Sequence, residues 1–262
     1  MDFNPAAEPV PFSAVTQDPG VSPLPPQQTP PFLRKLELLL LLAVTIGPSL
    51  LTAAFIYFAY GSSAQRPSDS SYIFFGLASA VARQAGGLAL LSYILFRQGR
   101  KLRDIGFSFR WLDLPVSIGL LVLSWIAAGL CRYYLNSMYF LWTGHQVERW
   151  DGAAALLGTH VSVVVVVFLL INAFYEELIV RAYLMSEIIS WKHSALFAGI
   201  VSVVIQASYH IYQGVPNMIS IAALFSVYAI YYGKTRRILP VILAHLYVDA
   251  FSAAYLFHFH HM

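Results

Sequence analysis

Seven apolar runs, each near the length needed to cross a bilayer, constrain this chain more than any other feature: residues 36–60, 72–96, 114–134, 161–189, 194–212, 215–232 and 238–257. A hydrocarbon core of ~30 Å takes about 20 helical residues at a rise of ~1.5 Å each, and short polar punctuation separates the runs. The fold class expected is therefore all-α, a polytopic transmembrane helix bundle of seven spans. The fourth run is long enough to extend beyond the membrane or to tilt within it. Residues 133–142 (YYLNSMYFLW) could hide an eighth span, but they are too few to cross and are read as interfacial. A chain of 262 residues that is 58% hydrophobic and 11% charged is also too poor in charge to be a soluble domain. Its 16 Tyr and 5 Trp suit anchors at the two interfaces.

Basic residues around the runs set the orientation. Arg34, Lys35, Arg97, Arg100, Lys101, Arg103, Arg110, Lys192, Lys234, Arg236 and Arg237 fall on one side of a seven-span layout, and only Arg66, Arg132 and Arg149 on the other. Positive charge marks the cytoplasmic side, which places the N-terminus in the cytoplasm and the C-terminus outside, in a membrane of the bacterial cell type. Residues 1–33 are polar and proline-rich, with neither a basic start nor a cleavage site, and are expected to be a disordered tail. Residues 34–152 then hold the N-terminal transmembrane helices, and 153–258 the chemistry-bearing core. The lone Cys131 excludes an intrachain disulfide and a cysteine-rich metal site. The terminal His258, His260 and His261 are read as a frayed end in preference to a metal site.

Ionisable side chains inside a membrane cost several kcal/mol and mark function by default. Glu176, Glu177, Arg181, His210, His245 and Asp249 all lie within the fourth, fifth and seventh runs. Glu177 and Arg181 are spaced i, i+4 and can pair on one helix face, while Glu176 is turned by about 100° from its neighbour. Glu176 is thereby left freer. His245 and Asp249 share the same i, i+4 spacing. Runs four and five form a hairpin turning near Trp191 and Lys192, so position 176 should face position 206, with His210 one turn from that level. The convergence of a carboxylate, two imidazoles and a carboxyl in a pocket on the cytoplasmic side is what water-activating hydrolysis needs. The plainer reading makes these groups polar contacts that hold a helix bundle together.

These residues resemble the three motifs of the CPBP family of intramembrane peptidases, the group of CAAX prenyl protease 2 and the lysostaphin-resistance-protein-A-like, Abi-type proteins. Glu176, Glu177 and Arg181 match its Glu-Glu-x-x-x-Arg motif, and His245 and Asp249 its His-x-x-x-Asn/Asp motif. His210 matches the second motif, although Gln206 stands where an aromatic is usual, and Ala182 replaces a common glycine. The resemblance covers residues 161–257. It implies an intramembrane endopeptidase of the CAAX-protease type in which Glu176 is the general base, His210 assists, Glu177 and Arg181 hold the site in shape, and His245 and Asp249 complete it. In the family that last pair is thought to form an oxyanion site or to ligate a metal. An ionised Asp249 cannot donate to an oxyanion, so it is protonated, orients His245, or ligates a cation.

Zinc held by His210, His245, Asp249 and Glu176 thus stays open as a cofactor, although no HExxH spacing supports it. The partners implied are the lipid bilayer and a membrane-associated protein or peptide substrate, with no nucleic acid. The motifs of site-two metalloproteases, rhomboids and presenilin-like enzymes are missing from the sequence. Two other functions compete with the peptidase. One is an ion- or proton-coupled transporter, for which buried Glu, His and Asp chains are equally natural; the other is a catalytically idle scaffold of the same fold.

Overall fold

The computed structural model describes residues 29–60, 70–145 and 162–259, and among these residues every regular element is helical. The expected proline-rich tail lies outside the described residues up to position 28, as do His260 and His261. Eight helices follow in order: α1 (Pro31–Thr45), α2 (Gly47–Tyr60), α3 (Ser70–Arg97), α4 (Asp113–Thr143), α5 (Val163–Ser190), α6 (Ala195–Ser208), α7 (Val215–Thr235) and α8 (Leu239–Phe259).

Local chemistry sets their ends. α1 opens with Pro31, whose missing N–H costs nothing in a first turn. Ser162 and Ser194 cap α5 and α6, accepting hydrogen bonds from the backbone N–H groups of Val165 (3.3 Å) and Phe197 (3.1 Å). α1 and α2 bend by 43° at Ile46, where Pro48 cannot donate to the carbonyl one turn earlier.

α3, α4, α5 and α7 are each long and apolar enough to cross a membrane, and the bent α1–α2 pair adds a fifth crossing if it is one span. The other two expected spans are shorter apolar helices, Ala195–Ser208 and Leu239–Tyr255. Seven apolar segments are thus helical, but two of them are not full spans by length. α6 stops at Ser208 because Tyr209 and His210 form a turn, followed by a 3₁₀ turn at Ile211–Gln213 and by Gly214 at φ 87°.

Residues 133–142, read as interfacial, do not form a separate eighth span. They are the last third of α4, a continuous helix of 31 residues that ends at Gly144 in the left-handed conformation. A helix of that length measures ~46 Å, more than the ~30 Å hydrocarbon core, so it is long enough for its Tyr- and Trp-rich end to reach beyond the hydrocarbon.

α7 packs along α4 and α6, α3 along α5, and α8 against α4 and α5. The outside is coated with apolar side chains such as Phe58, Phe96 and Leu141, as a lipid-facing surface requires. Lipid tails are as apolar as leucine, so hydrophobicity alone cannot drive helices together there; close packing and polar bonds must contribute. Both are present. Gly87 of α3 lets α5 approach so closely that a Cβ at that position would meet the Tyr175 ring at 2.7 Å, and the Tyr175 hydroxyl donates to the Thr45 carbonyl on α1 at 2.6 Å. At the end of α5 the fully buried Glu187 accepts two bonds from Arg34, at 2.8 and 3.0 Å, and another from Arg100, tying α1 and the segment after α3 to α5.

Candidate functional site

The middle of α5 is not α-helical. Between Val163–Glu176 and Leu184–Ser190 the chain takes a π-helical path over Glu177–Tyr183. Such i→i+5 stretches are rare and are frequently found at functional sites. The wider turn separates successive residues by a smaller angle than an α-helix does. Glu176 and Glu177, expected on different faces, therefore both reach the same partner: Gln206 Nε2 donates to Glu176 Oε2 at 3.1 Å and to Glu177 Oε1 at 3.2 Å. The expected facing of positions 176 and 206 is met by this contact.

Glu177 is wholly buried and heavily bonded. It accepts from Arg181 Nε at 3.0 Å, the i, i+4 pair expected, and also from His245 Nδ1 at 2.9 Å on α8. Beyond that expected pairing, Glu177 bridges Arg181 of its own helix and His245 of α8. Arg181 is fully buried too, and its other nitrogens donate to Ser202 Oγ at 3.1 Å and Gln206 Oε1 at 2.5 Å. Its guanidinium lies 5.5 Å from the centre of the Phe225 ring. A buried guanidinium is tolerable only with partners of this kind.

Glu176, 6% exposed, has far less company. Gln206 donates to it, and the Tyr209 hydroxyl lies beside it without reaching the geometry of a formed bond. His245 Nε2 stands 3.7 Å from Asp249 Oδ1, beyond hydrogen-bond length, so the imidazole has one nitrogen fixed and the other only loosely placed. Asp249 Oδ2 is buried with no bonding partner among the described residues. Asn172 of α5 neighbours Asp249 and accepts from Gln84 Nε2 of α3 at 2.7 Å.

His210 belongs to the turn after α6 and not to a helix, which corrects its expected place one helical turn from its neighbours. Its Nδ1 lies 3.3 Å from Gln213 Nε2, and its Nε2 is buried without a bonding partner among the described residues. The Phe225 ring of α7 lies near both histidines, 5.9 Å from the His210 ring and 5.5 Å from that of His245.

All six expected site residues therefore lie in one buried region, but they do not make a metal centre. Among the described residues no three His, Cys, Asp or Glu side chains are grouped so as to hold a metal ion, and His210, His245, Asp249 and Glu176 do not form the ligand set considered from sequence. His245 Nδ1 is committed to Glu177, and the Phe225 ring contacts both imidazoles.

Gln206, marked in the sequence only as a departure from an aromatic, bonds Arg181 and both glutamates. Ser202 and Phe225 were not picked out, nor were Asn172 and Gln84. A signal existed for two of these. Ser202, Gln206 and His210 recur at i, i+4 and i+8 in an otherwise apolar run, and Asn172 lies one turn before Glu176.

Residues 158–251 match the family model described as type II CAAX prenyl endopeptidase Rce1-like. The match takes in α5, α6 and α7, most of α8, and all six site residues. Neither a curated protein nor a solved structure matches the chain.

Proposed function

We propose, from the match of residues 158–251 to the type II CAAX prenyl endopeptidase Rce1-like family model, that this integral membrane chain hydrolyses a peptide bond of a membrane-associated protein or peptide near the cytoplasmic face. The observation that carries this reading is the unequal use of two adjacent carboxylates. Glu177 is bound by three side chains, whereas Glu176 accepts one hydrogen bond, from Gln206. A group so fully bonded is an anchor. The less committed one keeps lone pairs for a water molecule.

Glu176 takes a proton from that water, with the unpartnered Nε2 of His210 positioning it, and the hydroxide adds to the scissile carbonyl carbon. The loosely placed Nε2–H of His245 turns from Asp249 to the developing oxyanion. Collapse of the intermediate breaks the C–N bond, and the Glu176 carboxyl returns its proton to the leaving amine. Glu177 orients His245 through Nδ1 while Asp249 faces its Nε2, and the Glu177–Arg181–Gln206 cluster keeps the pocket in shape.

Purified protein in detergent, screened against a peptide library with Glu176→Gln as the comparison, tests this reading. Cleavage by the unaltered chain and none by an equally folded Glu176→Gln variant is the result expected. Equal cleavage by both, or none by the unaltered chain across the library and in lipid vesicles, overturns it.

A further inference from the structure

Apart from the buried site, a cavity of about 720 Å³ opens among Arg103, Phe107, Ser108, Phe109, Arg110 and Leu239. Its wall is the segment connecting α3 to α4 together with Leu239, the first residue of α8. The loop forming its wall is fixed in place. Gly106 (φ 90°) accepts a bond from Ile238 N at 3.2 Å, and a Cβ at that position would run into the Arg236 carbonyl.

The charges around this cavity are unevenly matched. Four arginines at this end of the molecule have acidic partners: Arg34 and Arg100 with Glu187, Arg97 with Glu37, and Arg237 with Asp113. The nearby acids are occupied, since Asp113 also accepts from the Arg110 backbone N–H and Asp104 accepts from that of Lys101. Arg103 and Arg110, the two that line the cavity, have exposed guanidiniums and no ion pair among the described residues. Beside them Phe109 and Trp111 stack edge to face at 5.1 Å, and Trp111 and Leu112 are 79% and 72% exposed. Exposed aromatic and aliphatic side chains next to two free cations, at the level where membrane helices end, fit a ligand that is anionic at one end and apolar at the other.

We propose that this cavity binds the headgroup phosphate of an anionic phospholipid, with Arg103 and Arg110 as its ligands and the lipid's chains running along the apolar surface beside Trp111 and Leu112. Arginine pairs suit phosphate oxygens, and basic pockets between membrane helices hold such headgroups. Phe107 lines the cavity and meets the Phe174 ring of α5 at 6.2 Å, which connects the cavity wall to the helix that carries Glu176.

Native mass spectrometry of the full chain in detergent tests this, titrating phosphatidylglycerol, phosphatidylcholine and inorganic phosphate in parallel. The unaltered chain should bind phosphatidylglycerol at least about tenfold better than either alternative. Arg103→Gln and Arg110→Gln should each weaken it about fivefold and the double variant about 25-fold, at roughly 1 kcal/mol per basic group. Lys192→Gln, which removes the same charge elsewhere, should leave binding within about twofold. Arg→Lys at both positions should recover most of it and covers the case in which a glutamine variant misfolds. Equal loss in Lys192→Gln, unchanged binding in the double variant, or inorganic phosphate binding as well as the lipid would each overturn the proposal.

Discussion

Glu177 Oε1 accepts a hydrogen bond from His245 Nδ1 at 2.9 Å, joining α5 to α8 at the one carboxylate that also holds Arg181. Removing a partner from a fully buried charge leaves it uncompensated, at a cost of about 3–5 kcal/mol. Arg181→Ala should therefore lose most of its folded protein, measured as monodisperse yield and melting temperature in detergent, while Glu176→Gln stays within a few degrees of the unaltered chain. Matching losses in the two variants would mean that Glu176 is an anchor too.

Gln206 bonds three charged side chains with a single amide. Replacing it by Phe, the type of residue usual at this place in the family it resembles, removes every one of those bonds and inserts a ring beside two carboxylates. Bonds to charged groups are worth about 1.5–3 kcal/mol each, so Gln206→Phe should lower the melting temperature clearly and turnover with it. A variant as stable as the unaltered chain would show that the cluster does not depend on this amide.

His210 has a single side-chain bond, to Gln213, and sits in a turn. His210→Ala should consequently melt close to the unaltered protein and lose about 10²–10⁴-fold in turnover, the usual contribution of a positioned proton-transfer group. Rates within about threefold would remove it from the chemistry.

The separation of the candidate ligands bears on metal dependence. Because His210, His245, Asp249 and Glu176 are not grouped as a ligand set, chelator-treated protein should keep its turnover. Metal analysis of that same sample checks the outcome, and activity that vanishes and returns with stoichiometric zinc would contradict it.

Much of this arrangement was legible because it depends on spacing. Glu177 and Arg181 are four positions apart, near enough in either helix type for the pair to form, and counting residues from the hairpin turn at Trp191 was enough to set Glu176 opposite Gln206. The π-helical stretch was not legible. Its hydrogen-bond register leaves no mark on an apolar run, yet it turns Glu177 toward His245 and lets both glutamates share an amide. Tyr209 and His210 extend the apolar pattern of α6, so nothing local announced the turn that places His210. Residues 133–142 show a related limit, since bilayer thickness bounds how much of α4 can lie in hydrocarbon and not how long the helix runs. Gln206 is uncharged and reads as ordinary packing until its partners are known.

The central claim is that Glu176 does the proton chemistry while Glu177 holds the site. It is tested most directly by the initial rate of peptide hydrolysis by Glu176→Gln, at a folded concentration matched to the unaltered chain in the same lipid vesicles. The expected result is a rate lower by about 10²–10⁴-fold with an unchanged melting temperature. A rate within about tenfold at equal stability would contradict it and return the role of base to another group.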